Sequence, residues 1–147
     1  MKNKLLFYRL VLALVMAIAW VALTNNQYAY NHNFPQLFGL QLYPLIAWFL
    51  ALSTAYFAYT WLGVFFKLKS FSLNFIVACL LYWPILIFAE TAGYYWFNIH
   101  NLAAASYPGL PICHCLHAPP WMQLGYFLLG PVYLLLGHLL KLDKKFN

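Results

Sequence analysis

Four apolar runs dominate this sequence, and each is long enough to cross a lipid bilayer as an α-helix. The runs cover residues 5–24, 44–66, 72–97 and 121–140. A helix rises about 1.5 Å per residue, so roughly 20 apolar residues span a hydrocarbon core of about 30 Å. Charged residues make up only 7% of the chain, against about 25% in soluble domains. The sequence therefore predicts an all-α integral membrane protein with a single domain over residues 1–147.

The basic residues predict how this domain is oriented in the membrane. Four crossings put both termini and the turn between the second and third runs on one side, and all eight basic residues belong to that side. The positive-inside rule makes it the cytoplasmic side. We expect an antiparallel up-down bundle of four transmembrane helices in a bacterial inner membrane, with a long outer loop between helices three and four. The basic residues form no patch, so nucleic acid is not an expected partner. They are Lys2, Lys4, Arg9, Lys67, Lys69, Lys141, Lys144 and Lys145.

The first run allows two interpretations. Lys2, Lys4 and Arg9 followed by Ala17-Ile18-Ala19 match the basic region and the cleavage site of a signal peptide over residues 1–24. The run is also long enough to remain as a helix, with the Arg9 side chain extending towards the inner interface. We favour the uncleaved helix, in which Ala13 and Ala17 form a small-residue face for close helix packing.

A second small-residue face is predicted on the second helix. Ala47, Ala51 and Ala55 recur every four residues and are followed by Tyr59. Residues at this spacing lie on one side of a helix. We therefore expect Ala51 and Ala55 to lie at a helix contact and not to face lipid.

Glu90 is the only acidic residue within the four apolar runs. Placing an acidic or basic side chain at the middle of a transmembrane helix costs about 2.5–3.5 kcal/mol on insertion scales. In the predicted topology, Glu90 has no lysine or arginine on its side of the membrane. Two interpretations stay open. Glu90 is either a protonated side chain that hydrogen-bonds two helices, or a functional group such as a catalytic proton acceptor or a ligand.

The outer loop carries a Cys-His-Cys-Leu-His cluster from Cys113 to His117. Thiolate and imidazole ligands select metals such as copper and zinc, although the usual zinc spacing is Cys-x2-Cys. A disulfide between cysteines two residues apart is expected to be strained. The alternatives are a free, redox-active thiol pair, a bridge to another chain, or loop side chains without special chemistry. Our candidate metal ligands are Cys113, Cys115, His117 and His100.

The long loop after the third helix, residues 98–120, is rich in proline and too apolar for a disordered segment. Loops of this length in compact domains are usually functional. We expect it to fold back over the helix ends, so that Glu90 lies beneath the Cys/His cluster. A weaker candidate is a slot for a lipid or substrate, lined by Trp83, Tyr94, Tyr95 and Trp121. Such aromatic residues also gather at membrane interfaces without any ligand.

The sequence has no Gly-rich phosphate loop, HExxH motif or nucleophile elbow. Our principal hypothesis is therefore a non-enzymatic accessory or binding subunit. Its expected partners are the lipid bilayer and either another membrane protein or a second copy of the chain. The alternative is a metal- or thiol-dependent membrane enzyme that acts on a lipid-soluble substrate at the outer face.

Overall fold

Four long helices form the body of the protein. The computed structural model of the chain describes residues 2–143, so Lys144 and Lys145 lie outside the described residues. By length and composition all four helices can cross a membrane, and the third span continues to Trp96. The prediction of four helices long and apolar enough to span a membrane is therefore confirmed. The helices are α1 (Lys2–Thr24), α2 (Leu42–Phe65), α3 (Phe71–Thr91) and α4 (Pro120–Leu139).

Short elements occupy the connections. The chain between α1 and α2 makes a hairpin in which β1 (Gln36–Leu37) pairs antiparallel with β2 (Leu40–Gln41). A π-helical turn, Ala92–Trp96, follows α3 directly. Short 3-10 turns lie at Asn25–Gln27 and Leu102–Ala104.

Residues 25–41 and 97–119, here called the loop layer, are joined by amide side chains. The backbone N–H of Asn31 donates to the His100 carbonyl (3.0 Å), and the N–H of His100 donates to Oδ1 of Asn31 (2.8 Å). Nδ2 of Asn101 donates to the Gln27 carbonyl (2.7 Å), and Tyr30 and Asn101 form a β-bridge. These bonds satisfy loop backbone groups that have no helical partner. The two connections therefore form one unit.

Small residues let α1 pack closely in the bundle. Ala13 and Ala17 are fully buried, as predicted for a small-residue face. The helix α1 contacts α2 and α4, and α3 also contacts both of these helices. Fully buried Leu52 and Tyr133 belong to the core between them.

Arg9 departs from the prediction. Its side chain is fully buried and does not extend to an interface. Its guanidinium forms an ion pair with Asp143 and donates a hydrogen bond to the Tyr133 carbonyl (3.2 Å). The rings of Tyr56 and Tyr133 lie 5.0 and 5.4 Å from its central carbon. Arg9 stays inside because Asp143 offsets its charge there and Gly137 leaves room for the guanidinium.

We predict that Gly130→Ala destabilises the protein. A Cβ at Gly130 would lie 2.6 Å from the ring of Tyr82, and this ring is held by the bond from its hydroxyl to the Tyr126 carbonyl (2.8 Å). Overpacking of this kind costs about 1–3 kcal/mol, so the melting temperature in detergent should fall. The matched control is Gly93→Ala, because a Cβ there makes only an ordinary 3.9 Å contact with the Tyr43 hydroxyl. Equal melting of the two variants would contradict the packing described here.

Candidate functional site

Glu90 lies in the last turn of α3, on the wall of a cavity of about 170 Å³. We call this space the Glu90 cavity. It is lined by residues from α2, α3, α4 and the loop layer. Its polar and aromatic lining comprises Tyr28, Tyr30, Tyr43, Trp48, Glu90, Tyr94, Asn101, His117 and Tyr126.

The π-helical turn shapes the wall of the cavity immediately after Glu90. Its wider winding is marked by the bond from the Phe97 N–H to the Ala92 carbonyl (3.1 Å). Thr91 bonds back to the Ile87 carbonyl through its hydroxyl (2.7 Å). Single π-turns of this kind are frequent at functional sites. This turn is not predictable from the sequence, because nothing in the local residue pattern distinguishes it from a continuing α-helix.

The Glu90 carboxylate has no partner in the part of the chain that the structure describes. Neither a hydrogen bond nor an ion pair to any residue within 2–143 is present, and the buried Arg9 is paired with Asp143 instead. Three tyrosines that line the same cavity, Tyr30, Tyr43 and Tyr94, have hydroxyls that are likewise without a hydrogen bond among the described residues. The residues that line the cavity therefore include one carboxylate and three phenols that no described residue pairs with.

By contrast, Tyr28, Trp48 and Tyr126, which also line the cavity, have their polar groups hydrogen-bonded. The Tyr28 hydroxyl accepts hydrogen bonds from the indole N–H groups of Trp20 (3.2 Å) and Trp48 (3.4 Å) and shares one with the Tyr126 hydroxyl (3.1 Å). Burial raises the pKa of Tyr28. The pKa of Tyr30 is also raised, by burial first and then by the nearby Tyr28 and Glu90. Both phenols therefore stay neutral at ordinary pH.

An apolar cleft of about 330 Å³ adjoins the Glu90 cavity between α2 and α3. The two spaces share Ala47, Ala51, Leu86 and Ala89 as walls. Ala47 and Ala89 are exposed, so this cleft lies on the outside of the bundle, where lipid would surround it. Because alanines line much of it, we call it the alanine cleft. The cleft is open because the facing sides of α2 and α3 carry alanine methyl groups where bulky side chains would fill the space.

The predicted small-residue face on α2 forms part of this cleft. Ala55 is 8% exposed, as expected for a helix contact, but it also lines the alanine cleft. Ala51 is half-buried and lines both spaces, and Ala47 is exposed. All three alanines therefore form a wall of the cleft, and their burial decreases from Ala55 to Ala47.

The two loop cysteines form a disulfide with each other, which corrects the expectation that this spacing disfavours one. The prediction rested on the two-residue spacing alone, but His114 between the cysteines is left-handed (φ 47°), as is Leu116 (φ 57°). The N–H groups of Cys113 and His114 both donate to the Leu110 carbonyl (3.1 and 2.7 Å). This tight turn brings the two side chains together.

The predicted metal site, with copper or zinc held by Cys113, Cys115, His117 and His100, is not found. Both sulfurs are used in the disulfide, and the ring nitrogens of His117 face the carbonyls of Tyr107 (2.7 Å) and His114 (3.1 Å). His100 bonds through Nε2 to the Asn98 side chain (2.7 Å). Within residues 2–143, no group of three or more Cys, His, Asp and Glu side chains is placed to hold a metal ion. The described residues therefore give no support to the predicted metal site.

The loop nevertheless reaches the region of Glu90. His117 and Leu116 line the Glu90 cavity, and Cys115 is fully buried with its sulfur 3.5 Å from the Thr91 hydroxyl. His117 also stacks on the Tyr94 ring at 5.4 Å. Of the four candidate metal ligands, only His117 shares the cavity with Glu90.

The predicted aromatic slot is dispersed over the surface. Of its four residues only Tyr94 lines the Glu90 cavity. Trp83, Tyr95 and Trp121 are 37%, 55% and 53% exposed. The Trp83 indole caps the Phe127 carbonyl (3.0 Å), and the Tyr95 hydroxyl donates to the Cys113 carbonyl (3.1 Å). Tyr28, Tyr30, Tyr43 and Tyr126 line the cavity instead, and their only sequence signal was the high tyrosine content.

No protein-family model, curated protein or solved structure matches the chain. The geometry of the Glu90 cavity and the alanine cleft is therefore the basis on which a function is proposed.

Proposed function

We propose that this protein is a non-enzymatic membrane protein that binds a lipid-soluble molecule with a polar end between α2 and α3. The observation that carries this proposal is the junction of two unlike spaces. The Glu90 cavity supplies a carboxylate and free phenols, and the alanine cleft beside it supplies apolar walls. An amphiphile would place its polar end at Glu90 and its apolar part along the alanines.

The size and chemistry of the two spaces support this role. Small-molecule sites are mostly apolar cavities of about 300–1,000 Å³ with a few polar groups that fix orientation. The alanine cleft holds about 330 Å³ and the Glu90 cavity about 170 Å³. The alanine cleft is open on the outside of the bundle, so an apolar chain could enter it from the surrounding lipid. A chain lying there would gain dispersion contacts with the alanine walls.

For the orientation, we propose the antiparallel up-down arrangement with the loop layer over the outer end of the bundle. In support, the beginning of α1 lies near the end of α4 through Arg9 and Asp143. At the other end, Tyr28 after α1 contacts Tyr126 in α4. Of the described basic residues, Lys4 and Arg9 in α1, Lys67 and Lys69 after α2 and Lys141 after α4 belong to the first of these ends. The positive-inside rule assigns that end to the cytoplasm of a bacterial inner membrane. Both termini are then cytoplasmic.

We expect single cysteines to report this orientation. In a variant lacking the native cysteines, Ser106→Cys in the loop layer should react with a membrane-impermeant maleimide added to intact spheroplasts. Ser70→Cys, in the connection between α2 and α3, should react only after the membrane is opened. Both serines are exposed, so access to their sulfurs is comparable. Labelling of Ser70→Cys alone in intact spheroplasts would show that the orientation is reversed.

The binding proposal predicts where a photoreactive amphiphile attaches. A long-chain alcohol with a diazirine in its chain should label peptides from α2 and α3 that line the alanine cleft, and excess unlabelled alcohol should prevent this. Ala51→Phe fills the shared wall and should reduce the labelling severalfold. Ala19→Phe is the matched control, because Ala19 is exposed on α1 outside the cleft. Labelling spread over all four helices, without competition, would contradict a specific site.

One observation favours a second candidate function, a thiol-dependent membrane enzyme with a lipid-soluble substrate. The Cys113–Cys115 disulfide lies next to the cavity, with the Cys115 sulfur 3.5 Å from the hydroxyl of Thr91. The reaction would transfer two electrons and two protons from the reduced cysteine pair to a quinone, which re-forms the disulfide and yields the quinol. Cys113 is only half-buried, whereas Cys115 is fully buried, so Cys113 is the sulfur that a substrate would reach. An accessible thiolate is the reactive form of cysteine.

The enzyme candidate is tested with the reduced protein. After removal of the reductant under anaerobic conditions, a short-chain quinone should be converted to quinol at one equivalent per protein. The thiol titre should then fall from three to one, because Cys79 is free and buried. Cys115→Ser should abolish the conversion, whereas Cys79→Ala should not. Absence of quinol from the unmodified protein would remove the enzyme candidate and leave the binding role.

A further inference from the structure

The Glu90 cavity has a charge imbalance that bears on what it binds. An ionised carboxylate in an apolar surrounding is costly unless a cation offsets it. Among the described residues no lysine or arginine pairs with Glu90, and the buried guanidinium of Arg9 is held by Asp143 elsewhere in the bundle. The site therefore lacks the positive charge that would complement its carboxylate.

His117 is the one histidine among the cavity-lining residues, and it forms no ion pair with Glu90 in the described structure. Both of its ring nitrogens face backbone carbonyls, those of Tyr107 and His114. These contacts hold the ring nitrogens on the loop. What His117 adds to the cavity is a ring stacked on Tyr94.

The remaining walls present aromatic rings. The polar atoms of Tyr28, Trp48 and Tyr126 are bonded to one another, so these residues contribute ring surface. Tyr30 and Tyr43 pack edge to face at 5.0 Å on the same cavity. Aromatic faces attract cations electrostatically, and cages of such rings recognise ammonium groups.

From these observations we propose that the polar end of the bound molecule is a cation, so that the ligand class is a hydrophobic ammonium compound. This inference rests on the proposed binding function. The ammonium group would lie between the Glu90 carboxylate and the rings of Tyr30, Tyr43 and Tyr94. Its alkyl or aryl portion would extend along the alanine cleft. An anionic headgroup would be repelled by the same carboxylate.

The test measures how well three competitors with the same alkyl chain prevent the photoreactive alcohol from labelling the alanine cleft. It uses the whole chain in an uncharged maltoside detergent. The competitors are tetradecyltrimethylammonium, tetradecanol and tetradecyl sulfate. We expect the ammonium compound to compete at roughly tenfold lower concentration than the alcohol, and the sulfate to compete least. In Glu90→Gln the ratio of ammonium to alcohol potency should fall to about one. Taking this ratio within each protein cancels the partitioning of the probes into micelles.

A second pair of variants keeps the test decisive if Glu90→Gln does not fold. Tyr30→Leu removes a ring from the cavity and should lower the ammonium preference severalfold. Tyr8→Leu, on an exposed part of α1, should leave the preference unchanged. If alcohol and ammonium compete equally in the unmodified protein, the cation inference is overturned while the binding function stands. If the photoreactive alcohol fails to label the cleft at all, the binding function and the cation inference fall together.

Discussion

The Tyr28 hydroxyl is the contact on which the arrangement of the site depends. It lies just beyond α1, receives hydrogen bonds from indoles on α1 and α2, and pairs with a hydroxyl on α4. A buried donor without a partner costs about 1–3 kcal/mol of stability. The indole and hydroxyl donors around Tyr28 therefore all favour the helix packing in which they reach its oxygen. The helix ends are thereby held at fixed separations. The Glu90 cavity is the space that this spacing leaves between α2 and α3.

A second constraint follows from burying charge in a body that has few charged groups. At one end of the bundle the buried charge of Arg9 is offset within the protein, because Arg9 pairs with Asp143 and tyrosine rings cover the guanidinium. Around Glu90, the described residues supply phenols and aromatic faces but no cation. Arg9 and Asp143 thus form a structural ion pair, whereas Glu90 has no charged partner among the described residues. The proposed ligand would supply the missing charge from the membrane.

The loop layer links this chemistry to the exterior of the bundle. Amide side chains join its two halves, and the turn around His114 places Cys115, Leu116 and His117 against the end of α3. A Cβ at Gly109 would lie 2.8 Å from backbone atoms of His114 and Cys115, so only glycine allows the loop to close this tightly. The same fold that forms the disulfide also uses both thiolates that a metal would need. Loop shape, more than residue type, thus decides which chemistry these cysteines can take part in.

The sequence by itself determined four helices long and apolar enough to cross a bilayer, because such a helix requires a continuous apolar run and a run of this kind is visible in the sequence alone. It also singled out Glu90, since a lone carboxylate in an apolar run is conspicuous without coordinates. The partners of the key groups were decided only in the tertiary structure. Tyr28 and Tyr126 are 98 residues apart, and Arg9 and Asp143 are 134 apart. The disulfide, the burial of Arg9 and the tyrosine walls depended on helix packing and on left-handed loop residues, which no local pattern of polarity encodes.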